Sequence, residues 1–170
     1  NATDHSARPN TNVRNIRVKM NENTGEISVF NDGESIPVRM HKQLTDKWLT
    51  TVIFSEFRCG SNYNDDELRT GAGRNGYGAK CVMCWSKRAT VSHNDGAHEF
   101  SQTFHDNLSR IDPPLVSKSR RKTTYTEVKF LLDFERLGIA DIKSAIDYLR
   151  SFVWHLAVVT DQKINVYLDD

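Results

Sequence analysis

Apolar and polar positions alternate along the first part of the chain. Val13, Ile16, Val18 and Met20 are interleaved with Arg14, Arg17 and Lys19, a near period-2 pattern that predicts a half-buried strand. Ile27–Phe30 repeats the pattern, and the polar run Asn21–Gly25 between the two has the chemistry of a hairpin turn. The two strands are therefore expected to be antiparallel neighbours. From Leu44 to Phe57 the rhythm changes: apolar residues at 44, 48, 49, 52, 53, 54 and 57 follow the recurrence of a helix with one buried face. Ala79–Trp85 reads as a short buried helix. Lys87–Ser92 and His98–Phe104 read as strands around a turn at Asn94–Gly96. After a basic loop at Ser117–Lys122, Thr123–Leu132 alternates again, and Ile139–Val159 carries apolar residues at 142, 145, 146, 149, 152, 153 and 156, the stripe of a long amphipathic helix. Ile164–Leu168 closes with a strand. This order predicts a mixed α/β sheet with an antiparallel start and no internal repeat.

Composition narrows the picture. A chain of 170 residues with 38% hydrophobic content suits one compact domain. Its 23 basic and 22 acidic residues nearly cancel, which excludes a polycation of the histone kind. Cys59, Cys81 and Cys84 cannot all pair, and one C-x-x-C without a second pair or a His at finger spacing makes no zinc cage. A reducing, intracellular setting is expected, and the apolar runs are too short to span a bilayer. The opening Asn1-Ala-Thr-Asp4, with no initiator Met, reads as cut from a longer polypeptide.

Five of the nine glycines (60, 71, 73, 76 and 78) fall within nineteen positions, which marks a long functional loop. Gly71–Gly76 fits G-x-G-x-x-G, and Asp95 follows at nineteen residues. The dinucleotide fingerprint requires a strand running into that turn, and Tyr63–Thr70 is polar and acidic. A Walker A loop also fails, since Gly78 is followed by Ala79-Lys80 with no hydroxyl for a metal. What both motifs share survives here: glycines let backbone amides approach phosphates, and Arg74 and Lys80 add charge. Asn31-Asp32-Gly33 reads either as a hairpin turn or as a strand end at which Asp32 accepts from an exocyclic amine. Cys81 and Cys84 read as core packing on a short helix, and His155 as a packed or half-exposed residue of the long one.

Asn1–Asp4, Asn31–Val38, Ser61–Glu67, Gly73–Lys80 and Tyr125–Phe130, taken in order, resemble the ATPase domain of eukaryotic-type DNA topoisomerase II. That domain belongs to the GHKL superfamily shared with gyrase, MutL repair proteins, ninety-kilodalton chaperones and histidine kinases. The resemblance covers nearly the whole chain. It implies an α+β fold of the Bergerat type: a two-layer sandwich with a mixed, mostly antiparallel sheet covered by helices on one face. It further implies that residues 1–170 form a partial ATP-binding domain, without the start of its first helix and without the transducer domain that follows.

By the same resemblance, Asn1 would hold Mg²⁺, Asp32 would read the adenine amine with support from Thr126, and Gly60, Ser61 and Asn62 would face the ribose. Gly73, Arg74, Asn75, Gly76, Tyr77, Gly78, Ala79 and Lys80 would wrap the triphosphate as a lid. The family's general-base Glu lies four residues before the Asn, one helical turn away, and so falls upstream of Asn1. This chain is therefore expected to bind ATP without hydrolysing it efficiently. In the full-length protein, ATP binding would close a homodimeric gate in the nucleus or the mitochondrion, and DNA would be held through other domains. The alternative is the ATPase module of a MutL-type repair factor or a chaperone.

Overall fold

The computed structural model describes residues 1–8, 10–57 and 76–169. Its centre is a sheet of eight strands: β1 (Asn15–Met20), β2 (Glu26–Asp32), β3 (Ser86–Asn94), β4 (His98–His105), β5 (Arg110–Ile111), β6 (Leu115–Lys118), β7 (Tyr125–Leu132) and β8 (Asn165–Leu168). The spatial order is β5-β4-β3-β7-β2-β1-β8, with β6 also paired to β4. All pairings are antiparallel except that of β1 with β8. Among the described residues four helices accompany the sheet: α1 (Ala2–Ser6), α2 (Leu49–Ser55), α3 (Gly78–Cys84) and α4 (Ile142–Val159).

Strand alternation sorts the side chains between two faces. Ile16 and Val18 of β1, Ile27 of β2, Ala89 and Val91 of β3, and Phe100 and Phe104 of β4 are all buried. Two clusters fill the space between this face and the helices. Phe54 of α2 and Met83 of α3 pack with Ala89, Val91 and Phe104, and Ile36, Ala79 and Val128 close around them. Ile146 of α4 packs with Ile27 and Phe134, flanked by Met20, Ile142 and Leu149. The opposite face is polar, with hydroxyl pairs Thr90–Thr103 and Ser92–Ser101 between β3 and β4.

The expected strands and the hairpin between β1 and β2 are present, within a few residues. The helix expected from Leu44 starts only at Leu49. A backbone bridge between Met40 and Trp48 closes the intervening segment as a loop, and His41 Nδ1 accepts from the amides of Gln43 and Leu44, so these donors are satisfied without a helix. The basic loop expected from Ser117 begins inside β6 and continues to Thr124. No helix among the described residues is long and apolar enough to cross a membrane.

Candidate functional site

β2 ends, β7 begins and β3 ends at one edge of the helix-covered face. In register across these strands lie Asn31, Thr126 and His93. Asn31 and His93 are buried, so a row of polar side chains occupies the end of a face that is mostly apolar. Such groups need partners. The Asn31 Nδ2 donates to the Asp32 carbonyl at 2.9 Å, and no protein donor reaches its Oδ1 among the described residues. Thr126 Oγ1 shares a 3.2 Å hydrogen bond with Ser35 Oγ, which donates to the Tyr125 carbonyl at 2.8 Å. His93 Nε2 shares a 2.8 Å hydrogen bond with Thr50 Oγ1 of α2, and its ring stacks on Phe100 at 4.9 Å. His93 Nδ1 is buried without a partner among the described residues. Burial pushes the His93 pKa down to about 4, against the opposing pull of the Asp95 charge, so the floor is neutral near pH 7.

Asp32 does not lie in this row. Counting in twos from the buried Ile27 points residues 29 and 31 toward the helices and residue 32 away from them. There the Asp32 carboxylate accepts from the amides of Arg14 and Asn15 at 2.7 and 2.8 Å, and from the side-chain amide of Asn15 at 2.5 Å. It clamps the start of β1 to the end of β2. Asn31-Asp32-Gly33 is therefore a strand end and no hairpin turn, since the partners of β2 are β1 and β7. The inward group at that end is the Asn31 amide, one residue from the position singled out in the sequence. The alternation Ile27, Val29, Asn31 was the signal that could have found it.

The walls come from segments fastened to the floor. Gly33 has φ +92° and turns the chain past Thr11, whose carbonyl accepts from the Glu34 amide at 2.6 Å. Ser35 and Ile36 then hang over Thr126 and the core beneath it. Val38 donates to Asp95 at 2.9 Å, and the same carboxylate accepts from Ala97 and His98 in the β3–β4 turn. Burial works against the Asp95 charge, but these three amides outweigh it and hold the carboxyl below its ordinary value. Asp95 is thus a turn anchor and takes no part in a dinucleotide motif.

On another side, His5 of α1 bonds the Glu34 carbonyl at 2.7 Å, which seats α1 beside the end of β2. Asn1 is the N-cap residue of α1 and makes no side-chain capping bond, so its amide is uncommitted to the helix. Gly76, at φ +64°, leads into Tyr77 and α3. Lys80 is buried and donates to the Gly76 carbonyl at 2.7 Å, drawing the approach to α3 onto the helix itself. Ala79 rests on the same core cluster as Ile36. Tyr77 and Gly78 are exposed, and space around the Gly78 α-carbon is open. Gly60, Ser61, Asn62, Gly73, Arg74 and Asn75 lie outside the described residues. Among the described residues, no group of three His, Cys, Asp or Glu side chains could hold a metal ion.

No family model matches the chain. It is 34% identical over its whole length to the DNA topoisomerase 2 of Acanthamoeba polyphaga mimivirus, of which it covers 13%. Its fold matches the ATPase region of Saccharomyces cerevisiae topoisomerase II with a TM-score of 0.90 at 30% identity, over 99% of this chain and 44% of that one. The ATPase and transducer domains of DNA topoisomerase II from Balamuthia mandrillaris match with a TM-score of 0.84 at 34% identity, again over 99% of this chain and 44% of that one. The chain thus spans about an eighth of the curated relative and under half of the solved regions.

Proposed function

The chain is homologous over its whole length to the ATPase region of DNA topoisomerase II, and from that premise we propose that it is the ATP-binding part of a type II DNA topoisomerase. Such an enzyme passes one DNA duplex through a transient break in another. The observation that carries this reading is the agreement of sequence and fold with one and the same region of the relatives, end to end; a repair factor or chaperone module is not favoured by it.

The geometry supports a division of labour. Asn31 presents on the floor an amide oxygen that takes no donor among the described residues, suited to accept from an adenine amine, and Thr126 beside it offers a hydroxyl for a direct or water-bridged contact. This assigns to Asn31 the role expected of Asp32. Neutral His93 keeps the floor free of charge, which suits an uncharged base. Ile36 contributes an apolar surface to the same wall.

The phosphates would lie toward α3, where Lys80 holds the backbone at Gly76. Asn1, with an uncommitted amide at the head of α1, fits Mg²⁺ as a single oxygen ligand. Phosphate oxygens of the nucleotide would supply the rest of its shell. When bound, the ion offsets phosphate charge. Closure of the lid would promote dimerisation of two such domains in the full-length protein.

Isothermal calorimetry with a non-hydrolysable ATP analogue and Mg²⁺ tests the reading. A saturable heat that Asn31→Ala weakens about tenfold, as expected for one lost hydrogen bond, supports it. An absence of heat sinks it.

A further inference from the structure

We propose that the end of β6 and the loop that runs from it to β7 form a contact surface for the phosphate backbone of duplex DNA. Lys118, Arg120, Arg121 and Lys122 place four cations in five positions. Between Asp112 and Glu127 there is no acidic residue at all, and without these four cations the remainder of the chain carries a net charge of −3. A short strip of strong positive charge thus sits on an otherwise acidic domain.

The acids that flank this stretch in sequence are already engaged, and Asp95 and Glu99 lie beside it on β3–β4, Asp95 taking the amides of Val38, Ala97 and His98. Asp112 is engaged by His105 and Arg110, and Glu127 accepts from Ser28. Elsewhere Lys47, Lys87, Arg88, Lys129, Lys143 and Arg150 all take carboxylate partners. Among the described residues, none of the four loop cations makes an ion pair or a side-chain hydrogen bond, and all four are exposed.

The loop is also held in shape. Asn94 is fully buried at the end of β3, and its Nδ2 donates inward to Ser119 Oγ at 2.7 Å, to the Thr123 carbonyl at 3.2 Å and to the Arg121 carbonyl at 3.3 Å. The Ser119 amide donates to the Ala97 carbonyl at 2.8 Å, and the Arg121 amide donates to Ser119 Oγ at 3.0 Å. The amides of Ser119 and Arg121 and the carbonyls of Arg121 and Thr123 are spent on the fold, while the cations are exposed. A preshaped array of this kind loses little order on meeting a regular row of phosphates, and the two guanidinium groups can each grip a phosphate through paired donors. The choice of duplex DNA as the polyanion rests on the proposed function; the charge array itself does not.

The test is fluorescence anisotropy with a labelled 30-base-pair duplex of arbitrary sequence, titrated with the 170-residue chain between 50 and 200 mM KCl. Four phosphate contacts predict a slope of log K against log [salt] of about −3.6, a loss of about 10²-fold across that range. The quadruple variant K118Q/R120Q/R121Q/K122Q should lose measurable binding, whereas K42Q/K163Q, which removes charge elsewhere, should leave it nearly unchanged. Equal duplex binding by the wild type and the quadruple variant overturns the proposal. So does a wild type that ignores the duplex but binds phosphatidylserine vesicles, or a quadruple variant that loses only ATP-analogue affinity. Thermal shift with the analogue and Mg²⁺, run on the same proteins, reports separately on folding and on the nucleotide reading. Loss of that shift in the wild type would defeat the nucleotide reading and leave the duplex result standing.

Discussion

Protonation of His93 should make the domain acid-labile well above the range in which its carboxylates titrate. The ring is buried between Thr50 and Phe100, and burial lowers its pKa from 6.5 to about 4. Because the folded value lies below the unfolded one, the unfolded chain takes up the proton first. Stability is therefore intact above about pH 6.5, falls between pH 6.5 and 4, and levels off below. At 1.36 kcal/mol per pH unit, a displacement of about 2.5 units amounts to about 3 kcal/mol, a large part of a typical domain's stability. Asp95 does not confuse the window, since its carboxyl is held below 3.8 and its contribution is lost only at lower pH. Urea unfolding of the wild type and His93→Gln at pH 7.5 and pH 4.5 isolates the effect, as all other titrations cancel in the difference. The wild type should lose between about 2 and 3 kcal/mol more than the variant over this interval. Parallel losses in the two proteins, or a His93 resonance titrating near pH 6.5, would refute the reasoning.

Other perturbations separate the site from the scaffold. Asp32→Ala removes the acceptor of three hydrogen bonds to Arg14 and Asn15 and should cost on the order of 2 kcal/mol in urea unfolding, while the fraction that stays folded keeps nearly the wild-type affinity for an ATP analogue. Asn31→Ala should do the reverse; if Asp32→Ala instead abolishes binding in a fully folded protein, the reassignment is wrong. Gly33→Ala would strain a φ of +92° and bring a Cβ to 2.5 Å from the Thr11 carbonyl and 2.7 Å from the Val13 amide, which should lower stability by about 1–3 kcal/mol, read as a depressed Tm. Ile146→Ala, at a fully buried position of the α4 cluster, should cost about 2–5 kcal/mol in the same assay, with little change in the affinity of the folded fraction for nucleotide.

The sequence by itself determined most of the elements, because each strand and helix carries its own period. Ile16-x-Val18-x-Met20 needs no partner to be read as a strand with one buried face, and the stripe along Ile142–Val159 needs none to be read as a helix. The glycine-rich strings, read in order, also pointed to the right family. What sequence could not supply was anything set by a distant neighbour. The parallel pairing of β1 with β8 joins residues about 150 positions apart, and helix α2 begins at Leu49 because Met40 bridges Trp48. Asn31 and Asp32 are both short, polar and next to a glycine, so residue type alone does not choose between them. Only the pairing of β2 with β1 and β7 decides which side chain turns to the helices and which is spent on the backbone of β1. Likewise a run of lysines and arginines is merely hydrophilic until Asn94, a quarter of a hundred residues upstream, fixes the loop beneath it. Periodicity is a local property of the chain, whereas the direction and partners of a side chain are settled by the segments that fold against it.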